Sequence, residues 1–394
     1  MLFVVAMLVA LLGVAAPFLV IFFPRLGAGI LYHLRTLRIA ALELSLLLGI
    51  IAAATQPGPP AFDWLLAILL LGGLGQGLYP QRLLVAIDAP EHKNPADEAP
   101  QAGQKIEDPR TVFGVVLSGE AGAYPLTILA AHTIMNDRLA GKAVLASYCP
   151  VCRSGLIYAA HARGKDLTFE AAGFFRRNLV MRDRQTGSLW QQATGEAIYG
   201  PLKGARLTLL PGTQAVWEDW WSEHPETWLA IEPRGKHGLL PVKALSRLLE
   251  AATNLPRLMP GKTDLEDGLP AREWVAGLAA GGEARAYALP RLAGYAALED
   301  ALGGTPLVIR YDPGIDRVWA FDRRIAGETQ TLAWVGGGWL GEPSGQHWDA
   351  EGNPSHAGGE ILQPMTVQRG WWLGWKEFHP NTSVFDDLAG EKRE

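Results

Sequence analysis

Cys149 and Cys152 are the only two cysteines of the chain, and both stand in the stretch Tyr148-Cys149-Pro150-Val151-Cys152. Two thiols three positions apart have a short list of chemistries. They supply two soft ligands of a zinc or copper site, which then needs further ligands from elsewhere. They pass electrons by moving between dithiol and disulfide. Or they close a small structural clip of the kind an exported domain carries. His132 is the first candidate for a further ligand, because it stands on a predicted helix leading into the strand before the cysteines; His161 and His224 follow. A redox-active Cys-x-x-Cys ordinarily opens a helix, whose N-terminus lowers the thiol pKa. Here no helical pattern follows the pair, so the metal, exchange and clip readings all stay open.

A second group of residues could bind rather than react. Arg176, Arg177, Arg182 and Arg184 surround Asn178. Strand alternation puts Arg182 and Arg184 on one face, and guanidinium forks suit carboxylate or phosphate. Arg182, Arg184 and Asn178 are therefore a candidate anion site; the alternative is a solvated strand face paired with Asp183. The string Trp217-x-x-Trp220-Trp221-x-x-His224-Pro225 reads as one helical face packed into a core.

Other chemistry is excluded by what is missing. Net charge is −5 with no basic run, which gives no footing for a nucleic-acid partner. There is no phosphate-binding glycine loop after a strand, no Gly-x-Ser-x-Gly and no His-Glu-x-x-His. Gly336-Gly337-Gly338 reads as a turn.

The elements around the cysteines are legible by pattern. Val144 to Tyr148 reads as a strand, Cys149 to Ser154 as a turn and Gly155 to Ala160 as a returning strand, while Tyr124 to Leu139 has helical spacing. The same stretch then recurs 163 residues later without a gap. Gly119-Glu120-Ala121 matches Gly282-Glu283-Ala284, Ala123-Tyr124-x-Leu126 matches Ala286-Tyr287-x-Leu289, and Tyr148-x-Pro150 matches Tyr311-x-Pro313. At an offset of 155, Trp217, Trp220, His224-Pro225 and Thr227 match Trp372, Trp375, His379-Pro380 and Thr382. In the second stretch Cys149, Cys152 and His132 become Asp312, Ile315 and Tyr295, so the three candidate ligands disappear together. The pattern predicts an α+β fold: two diverged copies of one mostly antiparallel β unit with helices, at 111–232 and 271–385, joined by a connector at 233–270 and ending in a tail at 386–394.

Ahead of these units lie three apolar stretches, 2–23, 38–55 and 62–79. About 20 apolar residues cross a bilayer as a helix, so residues 1–80 read as a three-helix membrane anchor, with 81–110 as a linker. The lipid bilayer is the one partner the sequence implies. Glu43 lies near the end of the second stretch, within reach of Arg38 and headgroups, and Gly73-x-x-x-Gly77 could pack helices closely. Arg25, Arg35, Arg38, Arg82 and Lys93 fall on one side of three such spans, which places the large C-terminal part in the cytoplasm by the positive-inside rule.

Residues 111–385 resemble a bacterial family of unknown function marked by a Tyr-Cys-Pro-x-Cys turn. The likeness is carried by Ala123-Tyr124-Pro125-Leu126, by His132 with Asn136-Asp137, by Tyr148-Cys149-Pro150-Val151-Cys152 and by Asp183-Arg184-Gln185-Thr186-Gly187-Ser188-x-Trp190. Arg182 stands where the family pattern has tyrosine, and Ala131 where it has an aromatic residue. The resemblance implies no established activity. It does imply export of many relatives, hence an extracytoplasmic soluble part, against the charge rule. The sequence expectation is a membrane-anchored protein with a metal or redox site at Cys149, Cys152 and His132. The alternatives are a non-catalytic structural or interaction protein with a structural disulfide, and a thiol–disulfide oxidoreductase.

Overall fold

The computed structural model describes residues 2, 4–12, 27–55, 67, 84–93, 111–231, 265–266 and 268–386. Helix α1 (Gly29–Thr55) is apolar, and at about 1.5 Å per residue it is long enough to cross a bilayer. Leu44, Leu47, Ile50 and Ile51 are exposed along its second half. Among the described residues it is the one helix long and apolar enough to cross a membrane; a membrane anchor and a signal segment both fit that description. It starts nine residues ahead of the expected second span and takes in Arg35, which falls between the first two expected spans. The reason is packing: its first turn does not face lipid but sits on the soluble part, where Leu31 is buried with Ala172, Val180 and Leu189. Of the expected first span, residues 4–12 are helical. The expected third span, 62–79, lies outside the described residues except for residue 67.

The rest is β-rich. A short arm carries β1 (Ile87–Asp88) and β2 (Glu91–Lys93). β3 (Thr111–Leu117) and β4 (Glu120–Pro125) form a hairpin, followed by α2 (Leu126–His132) and the meander β5 (Ile134–Leu139), β6 (Lys142–Cys149) and β7 (Ser154–Ala159). A second sheet contains β8 (Phe169–Phe175), β9 (Asn178–Asp183), β10 (Leu189–Gln191) and β11 (Glu196–Tyr199). β12 (Thr208–Leu209) extends the meander beside β7, β13 (Gly212–Val216) pairs with β3, α3 (Trp217–Glu223) crosses, and β14 (Trp228–Ile231) lies parallel to β4.

The same order returns after the connector, most of which (232–264) lies outside the described residues. β15 (Trp274–Ala280), β16 (Glu283–Ala288), α4 (Leu289–Leu292), β17 (Leu298–Leu302), β18 (Thr305–Asp312) and β19 (Arg317–Asp322) come first. They are followed by β20 (Thr331–Val335), β21 (Gly338–Glu342), β22 (His347–Trp348), β23 (Gln363–Pro364), β24 (Gln368–Trp371), α5 (Trp372–Phe378) and β25 (Ser383–Val384). The sheet order β13-β3-β4-β14 has its counterpart in β24-β15-β16-β25. Register agrees as well: Val112 faces Pro125 as Val275 faces Ala288, and Leu229 lies beside Ala123 as Val384 lies beside Ala286. Each half fastens its Trp helix alike. A Cβ on Gly114 or Gly277 would overlap the ring of Trp220 or Trp375, so glycine there lets the indole lie flat on the sheet. Trp220 Nε1 donates to Thr227 Oγ1 at 3.1 Å, and Trp375 Nε1 to Thr382 Oγ1 at 2.9 Å.

The expected helix from Tyr124 to Leu139 is instead strand, short helix and strand. Thr133, at φ 63°, ends α2 in the left-handed region. Ile134 to Asp137 are then buried without interruption, and a run buried on both faces carries no two-residue alternation by which to read it as a strand. The front of the expected linker belongs to the fold. β1 pairs with β5 and β2 with β14, each at a sheet edge. His132 Nδ1 lies 2.6 Å from the carbonyl of Val85, Asn136 Nδ2 donates to Asp88 at 2.8 Å, and Asp137 bonds His92 at 3.0 Å. His132, Asn136 and Asp137, three residues that carry the resemblance, thus fasten the arm.

Candidate functional site

The turn between β6 and β7 brings both thiols into the interior. Cys149 and Ser154 face each other where the strands part, and Arg153, at φ 55°, completes the turn. Both cysteines are free and buried. Cys149 Sγ faces the carbonyl of Arg177 at 4.0 Å. Cys152 Sγ lies 3.1 Å from Ser154 Oγ and receives Asn178 Nδ2 at 3.3 Å.

Asn178 is fully buried and its bonding leaves it one orientation. Its Oδ1 accepts from Ala193 N at 2.9 Å and from Gln191 Nε2 at 2.8 Å, while its Nδ2 donates to Gln192 Oε1 at 2.8 Å. A backbone N–H can only donate, so Oδ1 is pinned on that side, and the remaining amide hydrogen is left for sulfur. The thiols respond in opposite directions. The hydrogen bond from Cys149, together with those from Ser154 and Asn178, outweighs burial and brings Cys152 down from 9.0 to about 7. Burial, then the neighbouring Cys152, pushes Cys149 well above its ordinary range.

The second half of the chain closes over this turn. Trp371 N donates to the carbonyl of Cys152 at 2.9 Å. A Cβ on Gly370 would stand 3.0 Å from that same oxygen, and a Cβ on Gly374 would collide with Cys152. Glycine at both positions is what lets β24 and α5 come this close. The Arg153 guanidinium lies 5.4 Å from the Trp371 ring centre. From the β8–β9 hairpin, Arg176 Nε reaches Glu377 on α5 at 2.6 Å. What space remains, about 20 Å³, is lined by Cys152, Ser154, Trp375 and His379 among others.

The corresponding seam on the other side is built differently. There the turn from β18 to β19 faces α3, and β19 packs on β13. Arg317, fully buried, reaches Glu223 Oε2 at 2.5 Å and Glu351 Oε1 at 2.6 Å. Burial lifts Glu223 above the ordinary carboxylate range in spite of Arg317. A cleft of about 280 Å³ opens beside this bridge, lined by Phe113, Trp220, His224, Trp319, Glu351 and Arg369 among others.

The expected site residues do not all converge. Among the described residues, the one group with three ligand atoms mutually within 4.8 Å is Glu223, His224 and Glu351. Cys149, Cys152 and His132 do not form such a group, because His132 turns its Nδ1 to the arm. In the Glu223 group Arg317 already supplies the positive charge between the two carboxylates, so a cation would have to displace it. Of the other histidines considered, His161 is exposed and paired with Asp166 at 3.0 Å. The expected anion site is also dispersed. Arg182 donates to the carbonyls of Leu31 and Tyr32 in α1, both at 3.1 Å, Arg184 bonds Asp88 at 2.8 Å, and Asn178 is buried under the thiols. Trp217 and Trp220 pack inward as expected, but Trp221 is exposed. The residues the sequence did not single out are Ser154, Gln192, Gly374 and His379. Only the Trp375-x-x-x-His379-Pro380 string marked one of them, and it marked His224 equally.

No curated protein matches the chain, and no solved structure matches it. A family model does, described as a protein of unknown function (DUF3179), across residues 84–382. That span takes in the arm, the first half, all but the last three residues of the second half, and both seams, and the chain belongs to this family.

Proposed function

We propose that the chain is a membrane-anchored thiol-redox protein, with Cys149 and Cys152 as a reversible dithiol–disulfide couple. Residues 111–232 and 271–385 are read as two diverged copies of one unit, the second serving as a scaffold over the first. The matched sheet orders and registers support the duplication. α1 is the anchor.

The observation that carries the redox reading is the polar cradle of Cys152. An apolar pocket would serve a structural clip as well. Here a pinned amide N–H and a hydroxyl both address one sulfur, an arrangement that stabilises a thiolate. In the reaction Cys152 thiolate attacks a disulfide of the substrate and releases one thiolate. Cys149 then attacks the Cys152 sulfur of the mixed disulfide and expels the second. Two electrons and two protons pass from the dithiol to the substrate disulfide. Because α5 covers Cys152, the substrate reaches it only when the seam between α5 and the turn parts.

The test is a redox titration of the full-length, detergent-solubilised protein against glutathione buffers, read by thiol alkylation and mass. A two-electron couple between about −300 and −120 mV, lost in Cys149→Ser, is expected. A potential far below about −300 mV would mark a structural clip instead. Stoichiometric zinc or copper in the purified protein, released by Cys152→Ser, would restore the metal reading.

A further inference from the structure

The groups bonded to Cys152 stabilise a thiolate once it exists, but an amide and a hydroxyl do not take up a proton near neutral pH. A base has to come from another element, and the second half of the chain brings one to the same space. His379 follows the last turn of α5, and its backbone N–H is held by the carbonyl of Trp375 at 2.9 Å. Its ring stacks on Trp375 with centres 3.8 Å apart and planes 23° apart, which fixes its position. His379 and Cys152 line the same cavity, and His379 Nε2 is buried with no hydrogen-bond partner. A buried ring nitrogen without a partner costs stability, and the cavity His379 lines is also lined by a thiol that has a proton to lose.

We propose that His379 is the proton acceptor for Cys152, contributed across the seam by the second half of the chain. The S–H bond of Cys152 breaks, its proton goes to His379 Nε2, and the neutral imidazole becomes imidazolium; no electron moves in this step. His379 Nε2 makes no hydrogen bond to Cys152 in the resting structure, so the transfer needs the two side chains to approach across the cavity of about 20 Å³ that both line. Burial lowers the His379 pKa, which keeps the ring neutral and able to accept at pH 7. The other titratable or charged groups around this space are already engaged. Arg369 is bonded to Asp316 at 2.7 Å, Arg176 to Glu377 at 2.6 Å, and Arg153 lies over Trp371. Cys149 and Tyr148 are both shifted upward by burial, Tyr148 to about 12, so both keep their own protons at neutral pH.

The molecule carries its own control. His224 holds the same place after α3, with its backbone N–H on Trp220 O at 2.9 Å and its ring 4.2 Å from that of Trp220. The turn facing it has Ile315 and Arg317 where the first turn has Cys152 and Ser154. A histidine kept only to complete the Trp corner would behave alike at both places.

The proposal rests on the dithiol reading, and its test is separable from it. The rate of alkylation of Cys152 is measured against pH in the reduced full-length protein, peptide by peptide. In His379→Asn the rate at pH 7 is expected to fall about tenfold, one pKa unit in thiolate population, with the profile moved to higher pH. In His224→Asn the profile is expected to stay on that of the wild type. Superposition of the His379→Asn and wild-type profiles overturns the proposal, and so does an equal shift in His224→Asn. If His379→Asn does not fold, NMR titration of the His379 ring in wild type and Cys152→Ser decides. A changed His379 pKa supports the pairing, and an unchanged one ends it. A reversible Cys149–Cys152 couple with no His379 effect would leave the redox reading standing and remove only the base.

Discussion

The two seams between the halves use the same corner and close it by different physics. Each corner has a Trp on a glycine, a Thr under the indole and a His beside it, stacked at Trp375 and tilted by 49° at Trp220. On the cysteine side β24 and α5 lie directly on the turn, two glycines make room, and about 20 Å³ is left. On the other side a buried guanidinium spans two carboxylates and a cleft of about 280 Å³ stays open. The corner itself does not need thiols or charge. What stands on the facing turn decides whether the seam becomes a tight pocket around sulfur or a charge-bridged, open one.

The largest effect is expected from Arg317→Ala. It leaves Glu223 and Glu351 facing each other without their cation, and removing one partner of a buried bridge costs about 3 kcal/mol. Chemical denaturation of the full-length protein measures it, and a loss under about 1 kcal/mol would mean that the charged seam holds little. Next comes Gly374→Ala, whose Cβ collides with Cys152 and is expected to cost about 2 kcal/mol as overpacking. Asp219→Ala at the corresponding place on α3 should change stability by no more than about 0.5 kcal/mol. Equal losses would erase the distinction between the seams. Asn178→Ala should cost about 1.5 kcal/mol by stranding Gln191 and the Ala193 N–H, and should raise the pKa of Cys152. Thiolate absorbance against pH reads that shift, and no shift would show that the amide does not tune the sulfur.

The smallest effect is a pH dependence confined to the cysteine seam. Cys152 has its folded pKa lowered from 9.0 to about 7, so its contribution is fully present above pH 9 and is lost as pH falls through 7. The upward shift of Cys149 works the other way above pH 9. The reduced protein should therefore gain on the order of 1 kcal/mol between pH 7 and 9, and Cys152→Ser should flatten that gain. A slope that survives the substitution would place its origin elsewhere.

Much of the local structure was legible in the sequence. The strands on both sides of Cys149 and Cys152 were readable as short apolar runs bounded by turn residues, and the matching residues at offsets of 163 and 155 fall at equivalent registers of both halves. Three things were hidden, each for a physical reason. Buried on both faces, Ile134 to Asp137 had no period to read. His132 seemed aimed at the thiols because it precedes their strand, but its partner is the Val85 carbonyl, far back in the chain. The seams are the hardest case, since Cys152 and Gly374 are more than 200 positions apart and a missing side chain leaves no chemical mark. The joint loss of Cys149, Cys152 and His132 in the second half was read as one site, whereas His132 belongs to the arm and the cysteines to the seam.

The β8–β9 hairpin has ends in two different places. Near the C-terminal end of β9, Arg182 grips the first turn of α1 through the carbonyls of Leu31 and Tyr32. At its tip, Arg177 offers its carbonyl to Cys149 and Arg176 holds Glu377 on α5. The five residue steps from Arg177 to Arg182, roughly 17 Å at about 3.3 Å each, make a stiff rod between those points. A change in the tilt of α1 that keeps Arg182 attached must either bend this ladder or move its far end, where the lid over the thiols is fastened. The hairpin is in effect a lever with its short grip on the apolar helix and its tip beside sulfur, so the set of that helix and access to the thiols share one mechanical linkage.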